Sequence, residues 1–209
     1  MPKVSWRYID IPRTGSTSFR ELFGPGADAG VRHTPYRPGH ESATQFVTII
    51  RHPLDRLVSI YAYVKKVQPN HLDGATSFAE WVKDGIPYNG VRLSSWNGDH
   101  ADAARKKQGP WLTVPQWYWI EKVPTGMLRI LRFENLDHDA EEFNRWLGRA
   151  NNRFPHINQY PHPPWRELYA DPEVLRIATA VYAIDLVNFQ YEVPCGIGDC
   201  QGDMLLKHK

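Results

Sequence analysis

Gln45-Phe46-Val47-Thr48-Ile49-Ile50-Arg51-His52-Pro53-Leu54-Asp55-Arg56-Leu57-Val58-Ser59-Ile60-Tyr61 is the stretch on which the fold turns. Its opening run has a continuous apolar centre, the pattern of a strand buried on both faces of a parallel sheet. Pro53 then supplies a backbone angle suited to the first turn of a helix. Leu54, Leu57, Val58, Tyr61 and Val64 recur at helical spacing, so one face of that helix is expected to pack on the sheet. Arg51 falls at the carboxyl end of the strand. Ser59 lies about two turns into the helix, on a side away from the apolar stripe. Together they are placed to grip one anion from two sides, whereas Arg56 is expected at the surface or paired with Asp55 or a later carboxylate. Taken alone, Arg51 reads first as one member of an ion pair at the helix end.

Toward the N-terminus, residues 6–11 are β-rich and end at Pro12, and residues 16–23 read as a short helix closed by Gly24. Between them lies Pro12-Arg13-Thr14-Gly15-Ser16-Thr17-Ser18. A strand that ends in a glycine turn and enters a helix aims backbone N–H groups and the positive end of the helix dipole at one point, which predicts an anion site. Ser16, Thr17 and Ser18 add hydroxyl donors, and Arg13 adds a fixed charge able to meet phosphate or sulfate oxygens as a bidentate fork. The turn lacks the G-x-x-x-x-G-K-[ST] of a Walker A loop, and no obvious acidic magnesium partner follows. By itself it also reads as a simple turn at Gly15 with Ser16 capping a helix.

Toward the C-terminus, a Pro/Gly-rich connection over residues 24–39 separates the two anion candidates. Ser77-Phe78-Ala79-Glu80 and Thr113-Val114-Pro115-Gln116 both match the capping box of a helix start. Residues 85–109 read as loop, 127–133 as a strand and 139–147 as a helix stopped by Gly148. Asp171-Pro172-Glu173 opens a final helix with an N-cap and a first-turn proline. Strands alternating with helices predict an α/β class, a P-loop-like three-layer domain with a central, mainly parallel sheet flanked by helices. At 209 residues a single domain over 1–209 is expected. Ligands of such sheets bind beyond the carboxyl ends of the strands, where both candidates fall.

Composition narrows the classes. With 42% apolar and 23% charged residues the chain is neither disordered nor fibrous. Lys+Arg at 25 against Asp+Glu at 23 argue against a nucleic-acid-coating surface, while the pI of about 8.5 leaves room for one local anion pocket. No apolar run approaches the roughly 18 residues of a membrane span. No basic segment followed by an apolar one precedes the first strand, so a cytoplasmic location is expected. Cys195 and Cys200 read as two free thiols, although they are near enough in sequence to pair.

The two anion candidates together resemble the sulfotransferases that use 3′-phosphoadenosine 5′-phosphosulfate (PAPS), most strongly the carbohydrate-modifying, membrane-type branch. In that family P-K-[TS]-G-[ST]-[TS] holds the 5′-phosphosulfate and R-[DN]-P-x-x-R-x-x-S-x-Y holds the 3′-phosphate. Here they read Pro12-Arg13-Thr14-Gly15-Ser16-Thr17 and Arg51-His52-Pro53-Leu54-Asp55-Arg56-Leu57-Val58-Ser59-Ile60-Tyr61. Weaker echoes occur at Pro115-Gln116, at residues 131–136, and at Tyr182-Ala183-Ile184-Asp185 before Phe189-Gln190-Tyr191. Two positions depart from the pattern. Arg13 replaces the lysine, as in the tyrosylprotein branch, and His52 replaces the acid or amide after the arginine.

The resemblance implies metal-free, in-line transfer of a sulfuryl group from PAPS to a hydroxyl or amine. Arg13, Thr14, Gly15, Ser16, Thr17 and Ser18 would hold the transferring group, and Arg51 with Ser59 the 3′-phosphate. Arg13 would also be catalytic, stabilising the leaving group. The acceptor's proton needs a base from the connection after the first helix. His33 is the leading candidate, since imidazole suits neutral pH, with His40 and Glu41 as rivals. Phe133 would supply an adenine slot or a core residue. Trp111, Trp117, Tyr118 and Trp119 would line an acceptor groove or the core. Arg105-Lys106-Lys107 would guide an anionic acceptor or form a solvated face. Carbohydrates, protein tyrosines and small alcohols are all open as acceptors. Two other readings compete: a magnesium-dependent nucleotide kinase built on the same turn, and a nucleotide-binding module without turnover.

Overall fold

The computed structural model describes residues 5–24, 33–39, 45–149, 154–155, 157 and 160–193. His40, Glu41, Cys195 and Cys200 lie outside these residues. The described chain runs β1 (Trp6–Ile9), α1 (Ser16–Phe23), β2 (Gln45–Ile50), α2 (Pro53–Val67), α3 (Phe78–Lys83), β3 (Pro87–Tyr88), β4 (Val91–Arg92), α4 (His100–Lys106), α5 (Trp117–Ile120), β5 (Leu128–Arg132), α6 (Leu136–Trp146), α7 (Pro172–Val181) and α8 (Ala183–Asn188).

β1, β2 and β5 form a parallel sheet with β2 in the centre, in register Tyr8 to Val47 and Ile50 to Arg132. The central strand is apolar on both faces because both are covered. Val47 and Ile49 pack with Tyr8, Phe19, Phe23, Leu136 and Phe143 under α1 and α6. Phe46 and Ile50 pack on the opposite face with Ile9, Ile11, Trp119, Ile120 and Phe189. The expected three-layer α/β arrangement is therefore present. Trp6 meets Phe143 edge-on with ring centroids 5.1 Å apart, and Tyr8 stacks on Phe19 at 4.2 Å, pinning α1 and α6 to the first strand.

Several local expectations need correction. The stripe of α2 does not pack on the sheet. Leu54, Leu57, Val58, Tyr61 and Val64 join Phe78, Trp81, Val174, Ala178 and Tyr182 in a separate core with α3 and α7. Helical spacing reveals that a face is buried and not which neighbour buries it. Residues 85–109 are not all loop. Asn89 and Gly90, both at positive φ, close the β3/β4 hairpin, and the Asp99 side chain caps α4 by accepting from the Asp102 N–H at 2.8 Å. The Ser77 cap forms, its hydroxyl accepting from the Glu80 N–H at 3.1 Å. Thr113 makes no such cap, because its hydroxyl donates to the Pro110 carbonyl at 2.8 Å. α6 begins at Leu136, three residues before the expected start, and α7 is followed by α8.

Candidate active site

The turn after β1 and the turn after β2 open side by side at the carboxyl end of the sheet, where the sequence placed them. A cavity of about 620 Å³ lies there, within the range of small-molecule sites. Arg13, Gly15, Ser16, Thr17, Ser18, His33, Arg51 and Ser59 all line it. Thr14 does not. Its hydroxyl donates to the Ile11 carbonyl at 2.9 Å and is buried, so its side chain braces the turn from behind and leaves at most its backbone for a ligand. Gly15 sits at φ 95°, and an added Cβ would approach the Phe133 ring to 3.2 Å, so both conformation and space select glycine. No side chain caps α1 at this end.

Arg13 also adopts a left-handed backbone, φ 65°. Its Nε and Nη2 donate to Ser59 Oγ at 3.2 and 3.1 Å, and its guanidinium lies over the rings of Tyr63 at 5.2 Å and Tyr160 at 4.7 Å. Ser59 thus touches the arginine of the other motif, whereas the sequence reading set it with Arg51 around one phosphate. Burial, and then the neighbouring Arg51, pull the Arg13 pKa down to about 10. Arg13 remains a cation at neutral pH, and a bound anion would relieve both penalties.

Arg51 is held on three sides. Its Nε donates to Asp55 at 2.7 Å, Nη1 reaches the Arg13 carbonyl at 3.5 Å, and the guanidinium covers the Phe133 ring at 4.2 Å. Its backbone is fixed by Gln116, whose side chain accepts from the Arg51 N–H at 2.9 Å and donates to its carbonyl at 2.8 Å. Gln116 is anchored in turn by Asp185, a fully buried carboxyl that accepts from the Gln116 and Trp117 N–H groups, each at 2.8 Å. Burial pushes Asp185 up to about 6, against the opposing effect of those N–H donors. The faint sequence signals at Pro115-Gln116 and Asp185 are thus the clamp on Arg51.

Arg56 is a correction. It is fully buried, and it donates to the carbonyls of Pro12 at 2.9 Å, Leu112 at 3.0 Å and Val114 at 3.0 Å. The guanidinium's divergent N–H groups tie the first anion turn to residues 112–114, a role that no carboxylate partner in the sequence would have shown. Arg56→Met is expected to destabilise the fold by about 3 kcal/mol, since it strands three buried carbonyls. Urea unfolding measures this, and a loss under about 1 kcal/mol would contradict the strut.

His33 lines the cavity, with φ 54°. Its Nδ1 lies 3.1 Å from Oδ1 of buried Asp10, and the other Asp10 oxygen accepts from Arg20 at 2.6 and 3.1 Å. Burial alone would raise the Asp10 pKa, but His33 and Arg20 outweigh it and hold the carboxyl below its usual value.

His52 turns away from the cavity. Its ring stacks on Trp165 at 4.5 Å, its Nε2 lies 3.0 Å from the Glu192 carbonyl, and burial lowers its pKa. The aromatic cluster divides. Trp119 is core, Tyr118 stacks on His100 at 4.5 Å, and Trp111 lines the cavity. In the basic run, Arg105 and Lys106 pair with Asp102, while Lys107 stands over the Trp111 ring at 6.0 Å. Phe133 opens a 3-10 turn at the cavity wall rather than sitting within β5.

The sequence reading missed Asp10, Tyr63 and Tyr160. Asp10 had a signal, a lone carboxylate at a strand's carboxyl end, and Tyr63 lies one helical turn after Ser59. Tyr160 had none, because its irregular Pro-rich surroundings carry no periodicity.

The family model described as Sulfotransferase family matches residues 31–192, most of the chain. The chain belongs to the sulfotransferase family. No curated protein and no solved structure is detectably similar to it. The α/β fold and the sulfotransferase assignment agree, and the activity is sulfotransfer. The match begins after the turn at residues 12–18. Among the described residues no group of three or more His, Cys, Asp or Glu side chains converges as metal ligands, and no helix is long and apolar enough to cross a membrane.

Proposed function

We propose that the chain transfers a sulfuryl group from PAPS to a hydroxyl acceptor and releases adenosine 3′,5′-bisphosphate. The observation that supports this most is that Arg13 with the opening of α1, and Arg51, line one cavity together with His33. A donor with a phosphosulfate at one end and a phosphate at the other matches two separate cationic stations. The acceptor oxygen would bond to sulfur as the bond from sulfur to the 5′-phosphate oxygen breaks. Charge growing on that phosphate meets Arg13 and the N-terminus of α1, and the acceptor proton passes to His33. A hydroxyl is favoured over an amine because no carboxylate is among the described lining residues, so nothing there would neutralise an ammonium. Tyr63, Tyr88 and Trp111 add flat walls suited to a sugar or phenol face.

Titration with adenosine 3′,5′-bisphosphate followed by PAPS turnover over an acceptor panel tests this. Tight, magnesium-independent binding with turnover is expected. Preference for ATP with magnesium would favour a kinase, and binding without turnover a silent module. His33→Ala should cut kcat by about 100-fold with bisphosphate affinity within about twofold of wild type. Unchanged kcat would move the base to another residue.

A further inference from the structure

Two buried polar atoms face one another behind the cavity. His33 Nδ1 and Asp10 Oδ1 lie 3.1 Å apart, and neither has a formed hydrogen bond to any other described group. Their contact is off the angle of a good hydrogen bond, as catalytic pairs often are before substrate arrives. A buried donor and acceptor without other partners are costly, so a small turn of the imidazole that completes their bond is favourable. The carboxylate is kept from following the ring, because Arg20 holds its second oxygen. His33 itself stands in a left-handed conformation, strain of the kind that collects at functional sites.

From this geometry we infer that Asp10 is a positioning residue for sulfuryl transfer: its carboxylate fixes the His33 ring with Nδ1 protonated and Nε2 free to take the acceptor proton. The inference rests on the proposed PAPS-dependent reading. As the acceptor O–S bond forms and the S–O bond to the 5′-phosphate breaks, the acceptor proton moves to Nε2. The resulting imidazolium lies against the Asp10 carboxylate, and the leaving electron pair remains on the phosphate. Arg20 keeps Asp10 ionised and aimed. Among the described residues, the other ionisable group facing Asp10 is Tyr8, whose burial holds its hydroxyl neutral. On the cavity side Trp111, with its ring 6.0 Å from the imidazole, brings no charge.

Asp10→Asn, His33→Ala and the double variant of the full chain, assayed with PAPS and a working acceptor, decide the matter. Asp10→Asn should lower kcat by about 30- to 100-fold with KM for PAPS and bisphosphate affinity within about twofold. The double variant should lose no more than His33→Ala alone, because Asp10 acts only through the histidine. Multiplying losses, or a kcat within about threefold of wild type, would overturn the proposal. If Asp10→Asn fails to fold, Asp10→Glu keeps the charge near Arg20 while moving the oxygen from His33. It must then show the same selective loss of kcat, and a wild-type kcat would overturn the proposal. Failure of the underlying reading looks different, since the unmodified protein would itself neither bind the bisphosphate nor turn over PAPS.

Discussion

Arg13→Ala is expected to reduce turnover of PAPS by about 1000-fold or more, the upper range for losing one preorganised donor at a developing negative charge. The size follows from the surroundings. Arg13 lies against the rings of Tyr63 and Tyr160, is forked onto Ser59 and is partly stripped of water, and its pKa is pulled down to about 10. A charge so poorly solvated interacts strongly with an anion that enters beside it. Arg13→Lys should recover about ten- to 100-fold of that loss, because lysine restores the charge but neither the planar fork nor the ring stacking. Single-turnover kinetics separate this from binding: the transfer step should slow far more than bisphosphate affinity falls. If Arg13→Ala retained a tenth of wild-type transfer, the leaving-group role would pass to another residue.

Arg51→Ala should weaken adenosine 3′,5′-bisphosphate by about 100-fold while adenosine 5′-phosphate changes by less than about threefold. The larger figure is about 2.7 kcal/mol, a reasonable value for one buried charge-assisted contact. Two features of the site add to the loss. Removing the guanidinium frees Asp55, now paired with Arg51 at 2.7 Å, to repel the 3′-phosphate. It also uncovers the Phe133 ring, which the guanidinium covers at 4.2 Å. Calorimetric titration of both nucleotides at one salt concentration measures the difference. Equal losses for the two would remove Arg51 from the 3′-phosphate station. Gln116→Ala offers a milder version of the same defect, since it frees the backbone of Arg51 without deleting its charge.

Much of the site was legible because its motifs are local. A strand that ends in Pro12-Arg13-Thr14-Gly15 and enters a helix has few conformations open to it, and the backbone groups that make it an anion candidate lie within seven residues. The same holds for Arg51 at the end of a doubly apolar strand. Errors arose where a side chain's partner is distant. Arg56 reads as a surface cation because its carbonyl acceptors, Pro12, Leu112 and Val114, carry no sequence signature. Thr14 is a local exception: it reads as a ligand by its place in the motif, yet its hydroxyl turns back to the Ile11 carbonyl three residues earlier. Ser59 sits on the expected side of α2 but hydrogen-bonds Arg13, 46 residues away in the chain.

Sequence alone determined the alternation of strands and helices, the glycine turn and the two cationic stations, since propensity, periodicity and turn chemistry act over a few residues. Only the tertiary structure decided that the stations share one cavity, that α2 packs on α3 and α7, and that Asp10 stands behind His33. Those facts depend on contacts between residues tens of positions apart, and such contacts are set by how whole elements pack, a property that no short stretch of the chain carries.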